Sequence, residues 1–240
     1  MTRRLTDHSV LTFDCYGTLI DWETGIWDAF QPLLVENPPT GLERDALITA
    51  FNHLEAEQQS AAPTMSYPTV LECVHRSLAE GLELKTSPML DHAFGASVPS
   101  WPAFPDSADS LSFLSGHFGL VILSNVDRAG FAASNTLLGV EFDAVYTAED
   151  IGSYKPDPSN FEYLIEHVES DLGYGKSDIL HTAQGIRHDQ IPARAIGLAN
   201  AWMDRPRLSE TGMAGLPATD HLFFSMAEMA AAAKTEVASR

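Results

Sequence analysis

Asp14 closes the apolar run Val10-Leu11-Thr12-Phe13 and opens the turn Asp14-Cys15-Tyr16-Gly17-Thr18. A short β-prone run that stops at turn residues reads as a buried strand of a parallel sheet. Open α/β sheets hold their ligands just past the C-terminal ends of such strands, which puts this carboxylate at the mouth of a site. A carboxylate so placed can attack an electrophilic centre and form a covalent ester, or ligate a hard cation. Three more strand ends deliver polar side chains toward the same crevice. These are Ser124-Asn125, Lys155 just ahead of a helix, and Gln184 with Asp189.

The elements that must carry these residues follow from hydrophobic periodicity. From Asp21 to about Phe94 apolar residues recur at helical spacing: Trp27, Phe30, Leu33 and Leu34, then Leu47, Phe51 and Leu54, then Val70, Leu71, Val74 and Leu78. Pro38-Pro39 breaks the first pair of helices, and Ser66-Tyr67-Pro68 opens the next. A proline-rich connector at 95–105 closes the block. Beyond it, helices predicted at 106–116, 128–138, 158–168, 190–196 and 226–234 alternate with strands predicted at 120–123, 144–147, 179–182, 198–203 and 221–224. That alternation implies βαβ units on a parallel sheet. The expected fold class is therefore α/β: a Rossmann-like parallel-sheet core at 1–20 and 105–240, with an inserted all-helical cap at 21–104. Trp22, Trp27, Phe30 and Tyr67 are aromatics of that cap, placed either to wall a pocket or to pack its interior.

Composition narrows the partners. The 240 residues carry 33 Asp+Glu against 14 Lys+Arg, a formal charge of -19. Such an excess opposes binding to nucleic acid phosphates or to an anionic membrane surface. With 45% apolar and 20% charged residues the chain can bury a substantial core. Two cysteines, Cys15 and Cys73, make no disulfide framework, and no Cys/His metal spacing occurs. The first apolar run ends at Asp14, too short for a signal peptide or a membrane span. A cytoplasmic protein acting on a small molecule is the expectation.

Taken in order, FDCYGTL (13–19), LSN (123–125), YKPDPSNF (154–161) and HTAQGIRHD (181–189) resemble the four motifs of the haloacid dehalogenase (HAD) superfamily. The resemblance runs over essentially the whole chain. The superfamily's phosphatases carry a second Asp two residues after the first, as the acid/base for a leaving alcohol. Tyr16 stands there, and an ordinary tyrosine pKa of ~10 suits it poorly to that task. A departing halide needs no proton, and DxYGT looks like the L-2-haloacid dehalogenase branch.

The resemblance implies Asp14 as nucleophile, Lys155 as the cation that keeps it charged, and Asp189 as the residue that positions or activates the hydrolytic water. It implies substrate contacts from Tyr16, Thr18, Ser124 and Asn125, a small anionic organic substrate, no cofactor, and a homodimer. Gln184 occupies the place of a phosphatase metal ligand, so Mg²⁺ enters only under an alternative reading as a small-metabolite phosphatase. A catalytically idle ligand-binding protein of the same fold is the other alternative. Three departures from the branch bear on the substrate. Its halide-receiving Arg in the first long cap helix is missing: Arg44 sits at that helix's start, and Asn52, His53 and Glu55 further along are poor substitutes unless His53 is protonated. Phe161 replaces a Tyr, and the branch's Ser and Asn of the fourth-motif loop are replaced within Gln184-Gly185-Ile186-Arg187, where Arg187 is either the missing positive charge or a solvated loop residue.

Overall fold

The computed structural model describes residues 3–38, 41–211, 216 and 218–239, so Pro39 of the predicted helix break lies outside it. Val10–Phe13 forms β1, followed by α1 (Trp22–Glu36), α2 (Arg44–Ala61), α3 (Tyr67–Gly81) and α4 (Pro88–Gly95) with no sheet strand between them. Then come α5 (Ser107–Leu114), β2 (Gly119–Ser124), α6 (Arg128–Leu138), β3 (Ala144–Thr147), α7 (Ala148–Ile151) and α8 (Pro158–Leu172). The chain closes with β4 (Ile179–Ala183), α9 (Ile191–Ala195), β5 (Ala199–Met203), β6 (His221–Phe223) and α10 (Met226–Ala238). The strands form one six-stranded sheet in the order β3-β2-β1-β4-β5-β6. Every neighbouring pair is parallel. This is the Rossmann-like α/β arrangement that the alternation predicts.

Side-chain alternation explains why the central strands read as continuous apolar runs. Leu11, Phe13, Leu120, Ile122 and Leu180 enter one buried cluster, with Leu111 and Leu114 of α5 and Met226 and Met229 of α10. Val10, Val121, Leu123 and Ile179 enter the other, against Phe161, Leu164 and Val168 of α8. Helices thus cover both faces, and no residue of β1 is free to be polar for solvent's sake. The short α7 is not predicted by periodicity. Four residues carry too little pattern, and a capping box between Thr147 and Asp150 starts it.

The helices α1 to α4 share an aromatic interior in which Phe30, Phe51 and Phe94 meet. His75 joins them, edge-on to Phe30. Buried Asp91 accepts from His75 and Thr86 there. The connector after α4 is anchored by fully buried Trp101, whose indole donates to Ser97 and whose ring stands edge-on to Tyr16 at 5.3 Å. Gly25 of α1 permits this close approach, because a Cβ there would lie 2.2 Å from Trp101 Cγ. Gly25→Ala is therefore expected to destabilise the fold by about 1–3 kcal/mol through overpacking, read as a lowered urea midpoint at unchanged slope. No described helix is long and apolar enough to cross a membrane.

Candidate active site

The turn after β1 aims Asp14 at the C-terminal edge of the sheet. The Asp14 amide donates to the Thr182 carbonyl of neighbouring β4 at 3.1 Å, which holds the turn on the strand it leaves. Gly17 sits at φ +92°, a region that L side chains rarely adopt. A Cβ at Gly17 would come within 3.1 Å of both Gln184 Oε1 and Trp22 Nε1. The glycine thus lets the turn, the Gln184 loop and α1 converge.

Lys155 binds the strand ends together. Its Nζ donates to Asp14 Oδ1 at 2.9 Å, Asp189 Oδ1 at 2.6 Å and the Leu123 carbonyl at 2.9 Å, which uses all three ammonium protons. Asn125 holds the lysine backbone from both sides, accepting from Lys155 N at 2.7 Å and donating to its carbonyl at 2.9 Å. Asp189 also accepts from His181 Nε2 at 3.1 Å, and His181 Nδ1 in turn accepts from Thr12 Oγ1 at 2.9 Å. His181 belongs to this network although the sequence reading passes over it. A histidine in the middle of an otherwise buried strand is the signal that could have found it.

The ionisation states follow from burial and pairing. Burial would pull the Lys155 ammonium down, but Asp14 and Asp189 outweigh it and hold the lysine above its ordinary value. Burial also opposes charge on Asp189. There Lys155, with the hydrogen bond from His181, wins and brings the carboxyl down to about 2. At Asp14 burial prevails: its carboxyl is pushed up, with Lys155 pulling down and Asp189 pushing further up. Asp14 is consequently a poorly solvated carboxylate facing a fixed cation, a state that favours attack on carbon.

The expected substrate contacts divide. The one hydroxyl proton of Thr18 goes to Asp14 Oδ2 at 2.9 Å, and its oxygen accepts the Gln184 amide at 2.9 Å. The residue is fully buried, so Thr18 orients Asp14 and has no proton left for a substrate. Both ends of the Asn125 amide are likewise engaged by Lys155. Tyr16 lines the cavity, while its hydroxyl is turned to Ser134 Oγ at 3.0 Å. Ser124 is buried and its hydroxyl has no partner among the described residues, and the second amide proton of Asn125 is unengaged there as well.

Asp14, Lys155 and Asp189 form the floor of a cavity of about 110 Å³. That is well below the ~300–1,000 Å³ of drug-sized sites and suits a small organic molecule. Gln184 and His188 form one side, and Trp22 with Asn52, Glu55, Gln59 and Tyr67 form the roof from α1, α2 and α3. Of the cap aromatics, Trp22 and Tyr67 thus reach the cavity, whereas Phe30 is buried inside the helical block. The missing cap cation is not replaced. Arg44 bonds Thr24 on another face, His53 pairs with Glu57 in the open, and Arg187 lines a neighbouring cleft. Lys155 is the only Lys or Arg lining the cavity among the described residues.

The donor set is a poor fit for Mg²⁺. That ion requires about six oxygen ligands at short range, usually with carboxylates among them. Here the two floor carboxylates already share an ammonium, Gln184 stands near them, and no group of three His, Cys, Asp or Glu among the described residues is arranged to hold a metal.

Residues 8–181 match the family model described as haloacid dehalogenase-like hydrolase. No curated protein sequence matches the chain. Among solved structures it is similar to the L-2-haloacid dehalogenase PA0810, at 22% identity and a TM-score of 0.74, covering 93% of this chain and 98% of that one. It is also similar to the L-2-haloacid dehalogenase of Xanthobacter autotrophicus with chloropropionic acid covalently bound: 17% identity, TM-score 0.76, 95% of this chain and 98% of that one. A third is the HAD-hydrolase YfnB of Bacillus subtilis, bound to magnesium: 18% identity, TM-score 0.74, 95% and 97%. At these identities the likeness is one of fold.

Proposed function

The chain belongs to the haloacid dehalogenase-like hydrolases, and from that footing we propose that it cleaves the carbon–halogen bond of a small 2-haloacid through an ester on Asp14. The observation that carries this reading is the Asp14 carboxylate itself, fixed by Lys155 and Thr18 at the floor of a small cavity, with Tyr16 in place of a second acid. In the first step an Asp14 oxygen forms a bond to the substrate carbon, the carbon–halogen bond breaks, and halide leaves with the electron pair. In the second, water adds to the Asp14 carboxyl carbon and releases the hydroxyacid, regenerating the carboxylate.

The roles within this scheme follow from ionisation. Lys155 holds Asp14 charged and in place before attack. Asp189, at about 2, is too weak a base to take a proton from water at neutral pH, so its part is to orient Lys155. His188 lines the cavity, and burial holds its imidazole below the ordinary value, which leaves it neutral at pH 7 as the base for the second step. The magnesium phosphatase alternative finds less support. The Tyr16 hydroxyl is bound to Ser134, and desolvation raises it well above an ordinary phenol, so it makes a poor proton donor to an alcohol.

The deciding experiment is a single turnover in ¹⁸O water with enzyme in excess over chloroacetate or L-2-chloropropionate. Ester chemistry places the heavy oxygen in Asp14, found by peptide mass spectrometry, with halide released equally with and without EDTA. Label appearing in the hydroxyacid and not in Asp14 would defeat the mechanism. No halide from any haloacid would defeat the substrate assignment.

A further inference from the structure

A 2-haloacid brings one anion into the cavity and creates a second, yet the only Lys or Arg lining it is Lys155, whose three protons are all engaged. Across the cavity from Asp14, α2 presents Glu55. Tyr67 of α3 donates its hydroxyl to Glu55 Oε1 at 2.7 Å. Oε2 has no partner among the described residues and, unlike Ser124 Oγ, is not a sealed orphan. The tyrosine engages Oε1 in either ionisation state, and with no cation lining the cavity except the fully engaged Lys155, Oε2 is the oxygen left to hold a proton on this desolvated carboxyl. We propose that Glu55, as the neutral acid, is the hydrogen-bond donor that receives the departing halide on the cap side of the cavity. This rests on the carbon–halogen reading above and names a leaving-group contact for it. The halide departs with the bonding pair of the broken bond, and the proton stays on Glu55, so the step needs no other reactant.

Burial supports the neutral form. It pushes the Glu55 carboxyl up to about 7, with only the Tyr67 hydroxyl pulling the other way. The sign of the pH dependence follows: donation is complete below about pH 7 and is lost as the pH rises through it. The groups facing Glu55 do not confuse this reading. Tyr67 and Tyr154 are pushed far above their ordinary values, Tyr67 chiefly by burial with Glu55 adding to it, and stay protonated. Tyr16 behaves alike, Lys155 is held up, and Asp189 is ionised throughout. Burial keeps His188 below its ordinary value, so its titration belongs to the acid limb. Burial raises the Asp14 carboxyl, and because attack needs its ionised form, its titration can only make the rate rise with pH, opposite to the descent expected from Glu55.

The test follows halide release from chloroacetate between pH 6 and 9. Wild type is expected to lose about tenfold in kcat/KM per pH unit above 7, as for one essential proton. Glu55→Gln keeps a neutral donor and is expected to show no descent above pH 7, whereas Glu55→Leu is slow at every pH. Tyr67→Phe removes a bond to the carboxylate form and moves the descent to higher pH. A second measurement needs no variant: bromide binding to wild type, read as thermal stabilisation, should be about 20-fold tighter at pH 6.5 than at pH 8.5. An alkaline limb unchanged in Glu55→Gln, or bromide affinity independent of pH, overturns the proposal while the Asp14 ester stands. Absence of halide release together with absence of label in Asp14 removes both.

Discussion

Asp14→Asn is expected to reduce halide release on the order of 10⁴-fold while leaving the protein as stable as wild type, or more so. The rate effect follows from losing the only side chain positioned to form the ester. Single removals of a nucleophile from a concerted site have effects of this size. The stability effect follows from burial. Asp14 is held at the cavity floor with its carboxyl pushed up by desolvation, so folding opposes its charged form. A group whose folded pKa lies above its unfolded value binds its proton more tightly when folded, and stability declines as pH rises through that window. An uncharged amide of the same shape removes this penalty, and the remaining Lys155–Asp189 pair is electrically balanced. Thermal melts taken upward from the ordinary carboxylate range, from about pH 4 to 7, should show wild type losing more stability than the variant. A variant that unfolds, or one that turns over haloacid at the wild-type rate, would contradict the assignment.

The second large effect lies in Lys155. Lys155→Met keeps most of the volume but strands Asp14 and Asp189 as buried carboxylates, at 7% and 2% exposure, without their common cation. Breaking a buried ion pair by deleting one partner typically costs about 3–5 kcal/mol, because the uncompensated charge remains. Denaturant unfolding at pH 7.5 should show that loss, together with halide release near background. Acidification should recover part of the stability, since protonating one of the stranded carboxyls restores neutrality. In wild type the Asp189 contribution runs the other way, in a lower pH window. Asp189, held near 2 by the same lysine, contributes stability present above the ordinary carboxylate range and lost as pH falls toward 2. Equal stability of the variant at pH 7.5 would show that the ammonium contributes nothing to the fold.

The architecture and the place of Asp14 at a strand end could be read before any coordinates because both are local. Val10–Phe13 is buried on both faces, a run too apolar for any surface element, and the turn that follows needs a glycine at Gly17. The positions of all six strands follow from the same alternation of apolar runs and helical spacing, to within a residue or two at their ends. From the residues themselves Lys155, Asn125 and Asp189 were identifiable as polar groups at strand ends, and their expected roles came from the family resemblance.

What they do depends on contacts between residues far apart in sequence. Lys155 lies 141 residues from Asp14 and 34 from Asp189, and only the parallel order β2-β1-β4 brings the three to one point. The same packing withdraws Thr18 from direct donation to a substrate, since its one hydroxyl proton is engaged by Asp14, and ties Asn125 by one of its two amide protons to the Lys155 carbonyl. It also leaves Arg44, His53 and Arg187 outside the cavity while turning Glu55 into it. In the sequence Glu55 is an ordinary glutamate between Leu54 and Ala56 on an amphipathic helix. Periodicity reports which face of a helix is covered, not which surface lies opposite. The sequence alone therefore determined the elements, their order and the position of the Asp14 carboxylate at a strand end, because neighbouring side chains dictate them. The cavity's charge, and with it the way the site can accept an anion, was decided only where the roof closes over the sheet.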